Sequence, residues 1–159
     1  MFIKKLYKKE VLKLYKIIDE NHFVGFLITT SSKNNKCLKL DFFAILPQYQ
    51  SKGYGGQVIE ELKKISNDYY GIFIEVEKQG LGKDEEENKI REKRIKFYEK
   101  NGFKKLNFEV DVFNVIFFSY ILFTNDTIKD EKVLEDIKKL YLAEFGEKKF
   151  NKYIEIKTI

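Results

Sequence analysis

The apolar residues of this chain recur with two different periods, and each period predicts a type of element. A period of two, typical of half-buried strands, predicts six strands and a short seventh at the end of the chain. These strands cover residues 14–18, 23–30, 37–46, 72–77, 103–113, 115–123 and 153–159. Within the third strand, strict alternation would place Leu40, Phe42 and Ala44 on one face of a largely covered sheet.

A spacing of three and four residues predicts four helices. The first covers residues 1–14 and has an apolar stripe of Ile3, Leu6, Tyr7, Val11 and Leu14. The second follows a glycine-rich turn, with Val58, Ile59, Leu62 and Ile65 on one side. The third begins near Asn88, carries Ile90, Arg94, Phe97 and Tyr98 along one side, and ends at Asn101-Gly102. The fourth lies in the tail, with Val133, Ile137, Leu140, Tyr141 and Phe145 in register.

The stretch 38–66 joins a strand to a helix through a turn that is rich in glycine. Pro47 has no N–H for a strand ladder and ends the strand. Gly53, Gly55 and Gly56 allow backbone conformations closed to other residues and a close approach of a ligand to the main chain. Such a turn presents unpaired N–H groups at the positive end of a helix dipole, so it predicts a phosphate cradle. A tight turn without a ligand is the alternative reading.

Two familiar nucleotide-binding motifs fit this turn poorly. The P-loop requires Gly, four residues and then Gly-Lys-Ser/Thr, and the chain contains no such run. The dinucleotide fingerprint G-x-G-x-x-G would require glycine at position 58, where Val58 stands. Nucleoside triphosphates and dinucleotides are therefore disfavoured as ligands.

A third motif fits well. The run Gln50-Ser51-Lys52-Gly53-Tyr54-Gly55 resembles the Q/R-x-x-G-x-G/A motif of the GNAT superfamily of N-acetyltransferases. The later run Phe97-Tyr98-Glu99-Lys100-Asn101-Gly102-Phe103 is similar to the second motif of that family, a helix ending in Tyr-x-x-x-Gly-Phe. The resemblance covers about residues 38–108. It implies a GNAT-like α/β fold with a central mixed, mostly antiparallel sheet flanked by helices.

The resemblance implies acetyl-CoA as cosubstrate and assigns residues to it. Backbone groups of Phe43, Ala44 and Ile45 would lie beside the pantetheine arm. The pyrophosphate would be lined by Gln50, Ser51, Lys52, Gly53, Tyr54, Gly55 and Gly56. The family often places Asn seven residues before its conserved tyrosine, where this chain has Arg91, so Asn88 one turn earlier is the predicted polar contact from that helix.

The same resemblance makes Tyr98 the predicted general acid, because its family position lies near the coenzyme sulfur. A phenol with a pKa near 10 is protonated at neutral pH and can donate a proton to a thiolate of similar basicity. Removing a proton from the acceptor amine requires a base or a held water. Glu75 and Glu77 share one face of their strand beside the cofactor site, and Glu75 is the first choice before Glu77 and Asp41.

The composition predicts the number of domains and the cellular location of the protein. The 159 residues are 43% hydrophobic and predict one domain, with a core over about 14–123 and a C-terminal extension over 125–159. One cysteine, Cys37, excludes an internal disulfide framework, and no secretory signal or span-length apolar run is present, so a cytoplasmic location is expected. No metal is predicted.

The sequence leaves open the role of the basic charge, the choice between catalysis and binding alone, and the choice between a monomer and a homodimer. The net charge of +5, concentrated in residues 1–16, is consistent with attraction to a polyanionic coenzyme, with solubility or with nucleic-acid binding, although no aromatic-interleaved basic motif favours the last. Only about fourteen residues precede the first predicted hairpin, fewer than in most GNAT proteins, so an acetyl-CoA-binding module without catalysis is the main alternative. The expected partners are acetyl-CoA and an amine, without nucleic acid or membrane, in a monomer or homodimer.

Overall fold

The computed structural model describes residues 1–8, 11–125 and 127–159, and its centre is an eight-stranded sheet. The strands are β1 (Phe2–Lys8), β2 (Leu12–Asp19), β3 (His22–Thr30), β4 (Cys37–Ile45), β5 (Gly71–Glu77), β6 (Lys104–Val112), β7 (Val115–Phe123) and β8 (Ile154–Thr158). Their order is β1-β2-β3-β4-β5-β7-β6-β8. Among the pairings of described residues, β4 and β5 run parallel and the other six are antiparallel. The predicted mixed, mostly antiparallel sheet is therefore confirmed.

The prediction of a helix over residues 1–14 is wrong where the structure describes that range. β1 and the start of β2 occupy it and pair with each other, while residues 9 and 10 lie outside the described residues. A register shift between Lys5 and Tyr7 interrupts the alternation of β1. This interruption hides the period of two, and tertiary pairing then overrides the helix-compatible spacing. The short N-terminal segment thus adds a strand to the sheet.

A β-bulge at Asp41 reverses the alternation of β4. Thr29 of β3 pairs with Leu40 and Ile28 pairs with Phe42, so Asp41 is the extra residue. Beyond the bulge, Phe43 and Ile45 pack against the core that contains Leu40. Phe42 instead lies on the other face of the strand and is 63% exposed. The predicted placement of Phe42 and Ala44 on the face of Leu40 is therefore wrong.

Two helices, α1 (Tyr54–Ile65) and α2 (Glu85–Lys100), cover one face of the sheet. The buried side of α1 is Val58, Ile59 and Leu62, as predicted, but Ile65 is exposed. α2 begins at Glu85, three residues before the predicted start, because the Asp84 carboxylate accepts a hydrogen bond from the Glu87 N–H and caps it. Its buried residues are Arg91 and Ile95, whereas the predicted Ile90 and Arg94 are exposed.

The other face of the sheet is covered by the C-terminal part of the chain. Helix α3 (Asp130–Phe145) buries Val133, Ile137, Leu140 and Tyr141, which confirms four of the five predicted stripe positions. A helix that was not predicted, α4 (Glu147–Tyr153), leads to β8, and β8 pairs with β6. Among the described residues, no helix is long and apolar enough to cross a bilayer.

Candidate active site

The turn before α1 has the geometry of an anion cradle. Gly53 is the residue before the helix and adopts a left-handed conformation with φ of 84°. The first backbone bond of the helix runs from the Gln57 N–H to the Gly53 carbonyl, and the N–H groups of residues 54–56 donate to no described acceptor. The first turn of α1 carries no acidic residue. The turn therefore presents free donors and the positive end of a helix dipole without a competing carboxylate.

Contacts on several sides hold this turn in place. The Gln50 side-chain amide donates to the Ile45 carbonyl at 2.8 Å, which ties the turn to the end of β4. The Tyr54 hydroxyl donates to Asp19 at 2.8 Å, which ties it to the β2–β3 hairpin. A Cβ on Gly55 would lie 3.0 Å from the Phe97 ring of α2. The glycine thus allows α1 and α2 to pack closely beside the cradle.

β4 separates from β5 close to this turn. Their parallel pairing runs from Cys37–Gly71 to Lys39–Phe73 and includes no later pair among the described residues. β4 nevertheless continues to Ile45 and stays paired with β3 as far as that residue. The β5-facing backbone groups of residues 40–45 therefore line an opening in the sheet, and this segment includes the predicted Phe43, Ala44 and Ile45.

Tyr98 lies on the α1/α2 face of the sheet and follows Phe97, the residue of α2 whose ring reaches the cradle. Its ring packs edge-on against Phe97 and Phe103, with centroid distances of 5.1 and 5.2 Å. Burial raises the pKa of Tyr98 to about 12, and Arg94 lowers it by a smaller amount. The phenol is therefore protonated at neutral pH and able to donate. The structure brings Tyr98 together with the cradle through Phe97.

Phe97 lies at the centre of the candidate site, although sequence reasoning assigned it only to a helix face. Its ring touches the position of Gly55 and lies 6.4 Å, centroid to centroid, from Phe43 of β4. It therefore connects the cradle, the strand opening and Tyr98. No pattern in the sequence pointed to this role, because Phe97 stands next to Tyr98 in the chain and its contacts come from two distant segments.

Glu75 lies on the opposite face of the sheet, under α3. Its carboxylate accepts a hydrogen bond from the Tyr141 hydroxyl and lies 3.3 Å from the Lys39 ammonium. Lys39 also contacts Asp41 at 2.9 Å and Glu144 at 3.3 Å. Burial lowers the pKa of Lys39. The negative charges of Glu75, Asp41 and Glu144 have the larger effect, so the Lys39 pKa is raised above its usual range.

Sequence reasoning missed Lys39, Tyr141 and Glu144 as neighbours of Glu75. One signal was present, because a lysine within an otherwise apolar buried strand requires carboxylate partners. The partner on α3 could not be identified in this way, since it lies 105 positions from Lys39 in the sequence.

The remaining predicted polar residues are Glu77 at the end of β5 and Asn88 in the first turn of α2. Glu77 contacts Arg94 at 2.6 Å and Arg91 at 3.7 Å, both on α2, so it does not join Glu75 under α3 as their predicted common face required. Asn88 accepts hydrogen bonds from the N–H groups of Gly80 and Gly82 at 2.8 and 2.9 Å, and so organises the loop. A contact from Asn88 to a cofactor stays a prediction, and it would compete with these bonds.

The comparisons with known proteins agree with this geometry. A family model described as an acetyltransferase (GNAT) domain matches residues 12–105, more than half of the chain. The protein therefore belongs to the GNAT acetyltransferase family, as its motifs predicted. No curated protein sequence matches the chain.

Solved structures of the same fold share little sequence with this chain. A protein assigned to the GNAT acetyltransferases from Bacteroides thetaiotaomicron superposes with a TM-score of 0.65 at 20% identity, covering 85% of this chain and 73% of that one. An aminoglycoside 6'-N-acetyltransferase complexed with coenzyme A superposes with a TM-score of 0.57 at 14% identity, covering 74% of this chain and 76% of that one. The ribosomal-protein-S18-alanine N-acetyltransferase from Escherichia coli superposes with a TM-score of 0.56 at 16% identity, covering 76% of this chain and 74% of that one. At these identities the likeness concerns the fold.

Proposed function

We propose that this protein transfers the acetyl group of acetyl-CoA directly to a primary amine. The observation that carries the proposal is the opening between β4 and β5, with the cradle at one end. A proton donor, Tyr98, lies on one face of the sheet, and two carboxylates, Asp41 and Glu75, lie on the other. Such an arrangement lets a thioester and an amine approach each other from opposite faces.

The cradle residues fit the phosphates of the coenzyme. The free N–H groups of residues 54–56 would bind the pyrophosphate, and Gly53 allows the chain to turn beneath it. Gln50, Ser51 and Lys52 would border the same group, with Gln50 also tied to β4. Along the unpaired edge of β4, the backbone groups of Phe43 and the N–H of Ile45 would bind the amides of the pantetheine arm, while the Ile45 carbonyl is bonded to Gln50 and Ala44 turns its backbone groups towards β3.

The reaction needs no covalent enzyme intermediate. The amine nitrogen forms a bond to the thioester carbonyl carbon, the C–S bond breaks, and the amide and the free thiol of CoA are the products. Tyr98 would donate its phenolic proton to the departing thiolate, and Glu75, directly or through a water, would take the proton lost by the amine. Most of the rate enhancement would come from holding both substrates in the opening.

The proposal is tested by two measurements on the same protein. Native mass spectrometry with acetyl-CoA reports occupancy, and release of CoA thiol with a panel of primary amines reports turnover. We expect binding and release above the background rate with at least one amine. Binding without release from any amine would contradict the catalytic proposal and favour a non-catalytic acetyl-CoA-binding module.

Gln57→Glu is expected to weaken acetyl-CoA binding by about tenfold at low salt, since one added charge near a pyrophosphate is worth about 1–2 kcal/mol. The Gln57 amide nitrogen lies 3.9 Å from where a Cβ on Gly53 would stand, so this side chain borders the cradle. The same carboxylate should leave stability unchanged or raise it slightly, because an acid in the first turn of a helix is favourable. Isothermal titration calorimetry and urea unfolding measure the two effects.

Gln57→Met is the matched neutral control and should bind acetyl-CoA like the wild type. The loss in Gln57→Glu should also shrink when salt is raised towards 1 M, as the charges become screened. Equal affinities for acetyl-CoA in all three proteins at low salt would place the phosphates elsewhere.

A further inference from the structure

Four charged side chains form a cluster on the α3 face of the sheet, at the point where β4 and β5 separate. Asp41, Glu75 and Glu144 each have an oxygen within 3.3 Å of the Lys39 ammonium. The exposed fractions of the side chains rise from 5% for Lys39 to 10% for Asp41, 13% for Glu75 and 25% for Glu144. Lys39 therefore lies at the buried end of the cluster, and Glu144 lies at its solvent-exposed end.

The cluster holds more negative than positive charge. When its three carboxylates are ionised, Lys39 balances one of them, and no other described cation lies within ion-pair distance of Asp41, Glu75 or Glu144. Burial raises the pKa of Glu144, Lys39 lowers it, and the neighbouring Asp41 and Glu75 raise it further. Excess negative charge in a partly buried site favours a cationic ligand.

Ser119 provides an independent indication of a ligand at this place. It lies directly opposite Glu75 in the antiparallel pair of β5 and β7, so the two side chains share a face and lie side by side. The Ser119 hydroxyl is fully buried and has no hydrogen-bond partner among the described residues. A buried hydroxyl is costly without a partner, so a polar group from outside the chain is expected to complete it.

The rim beside the cluster is apolar. Phe42, the residue after Asp41, is exposed on β4, and Ile28 lies opposite it on β3 with part of its surface accessible. An aliphatic chain leading away from the carboxylates would find apolar contacts there, while a carboxylate would find no free cation among the described groups of the cluster and would be repelled by its three acids.

We propose that the acceptor is a linear diamine or longer polyamine, whose reacting amine faces Glu75 while a second ammonium binds Glu144 at the rim. This assignment rests on the proposed function and narrows its substrate. Glu144 belongs to α3, outside the residues matched by the family model, so the C-terminal extension would supply the specificity. Amines that carry a carboxylate would be rejected by repulsion from the cluster.

Three acceptors of equal chain length test the assignment: 1,5-diaminopentane, 1-aminopentane and 5-aminopentanoate. Each has five carbon atoms, and the end opposite the reacting amine is cationic in the diamine, apolar in the monoamine and a carboxylate in 5-aminopentanoate. We expect kcat/KM to fall in that order, with at least about fivefold between the diamine and the monoamine, since a partly buried charge pair is worth more than an exposed one. Equal values for the three acceptors, or a preference for 5-aminopentanoate, would overturn the assignment.

Glu144→Gln should reduce the preference for the diamine over the monoamine by about fivefold, mainly through a higher KM for the diamine. Glu131→Gln removes the same charge from an exposed position of α3 and should leave that preference unchanged. An unaltered preference in Glu144→Gln would show that the second ammonium does not bind there.

Direct binding separates failure of this assignment from failure of the proposed function. Calorimetric titration of the CoA-saturated protein with 1,5-diaminopentane requires no turnover. If no amine is acetylated but the diamine binds the wild type at least about fivefold more tightly than Glu144→Gln, the catalytic proposal fails and the cation site stands. If amines are acetylated but neither rates nor binding depend on the second ammonium, the assignment fails and the catalytic proposal stands.

Discussion

Tyr98→Phe is expected to lower kcat by at least about 100-fold while leaving the Kd for acetyl-CoA within about twofold, since general acid catalysis contributes about 10²–10⁴-fold. The substitution keeps the ring and its edge-on contacts with Phe97 and Phe103. It removes only the hydroxyl, whose raised pKa of about 12 keeps it protonated across the neutral range. Thiol release under saturating acetyl-CoA, together with calorimetric binding, measures the two quantities.

Tyr120→Phe is the matched control for this prediction. Burial, together with the bonded Glu99 carboxylate, also raises the pKa of Tyr120 to about 12. The Tyr120 hydroxyl donates to Glu99 at 3.0 Å. Loss of this hydroxyl should affect stability by about 1 kcal/mol, the typical value of one hydrogen bond, and leave kcat unchanged. Wild-type turnover in Tyr98→Phe would remove Tyr98 from the role of general acid.

Lys39→Met is expected to destabilise the protein by about 3–5 kcal/mol at pH 7, the typical effect of removing one partner of a buried ion pair. The substitution leaves Asp41, Glu75 and Glu144 together without a counter-ion. In the wild type, the Lys39 pKa is raised on folding, so its contribution is complete below pH of about 10 and is lost only in strong alkali. Urea unfolding measures the difference.

The pH dependence of the Lys39→Met variant distinguishes electrostatics from packing. Its uncompensated carboxylates should have raised pKa values in the folded state, so the folded protein binds more protons and the penalty shrinks as pH falls from 7 towards 5. Lys64→Met, at an exposed ion pair with Glu61, should change stability by less than about 1 kcal/mol. A penalty in Lys39→Met that is constant with pH would assign its effect to lost side-chain packing.

Local patterns were sufficient where the physical cause is local. The strand, turn and helix of 38–66 could be predicted because proline, glycine and helical spacing act through the backbone of neighbouring residues. The stripe of α3 was predicted for the same reason. β1 and the bulge at Asp41 could not be, because a shift of register between two strands changes which residues face the core without changing the residues themselves.

The chemical assignments divide in the same way. The cradle and Tyr98 followed from two short motifs, since each presents its groups from consecutive residues of one turn or one helix. The surroundings of Glu75 did not, because Lys39 comes from β4, Tyr141 and Glu144 from α3, and Ser119 from β7. A charge cluster of this kind exists only after distant segments pack together.

The sequence alone determined the family, the candidate anion-binding turn, the candidate proton donor and most of the elements of the sheet. The tertiary structure decided that the N-terminal segment is a strand, that β4 parts from β5 after Lys39, and that α3 brings Glu144 to this opening. The physical reason is the separation along the chain over which each interaction acts. Backbone propensity and helix-terminus electrostatics act over a few residues, whereas strand register and buried charge pairing depend on groups up to 105 positions apart.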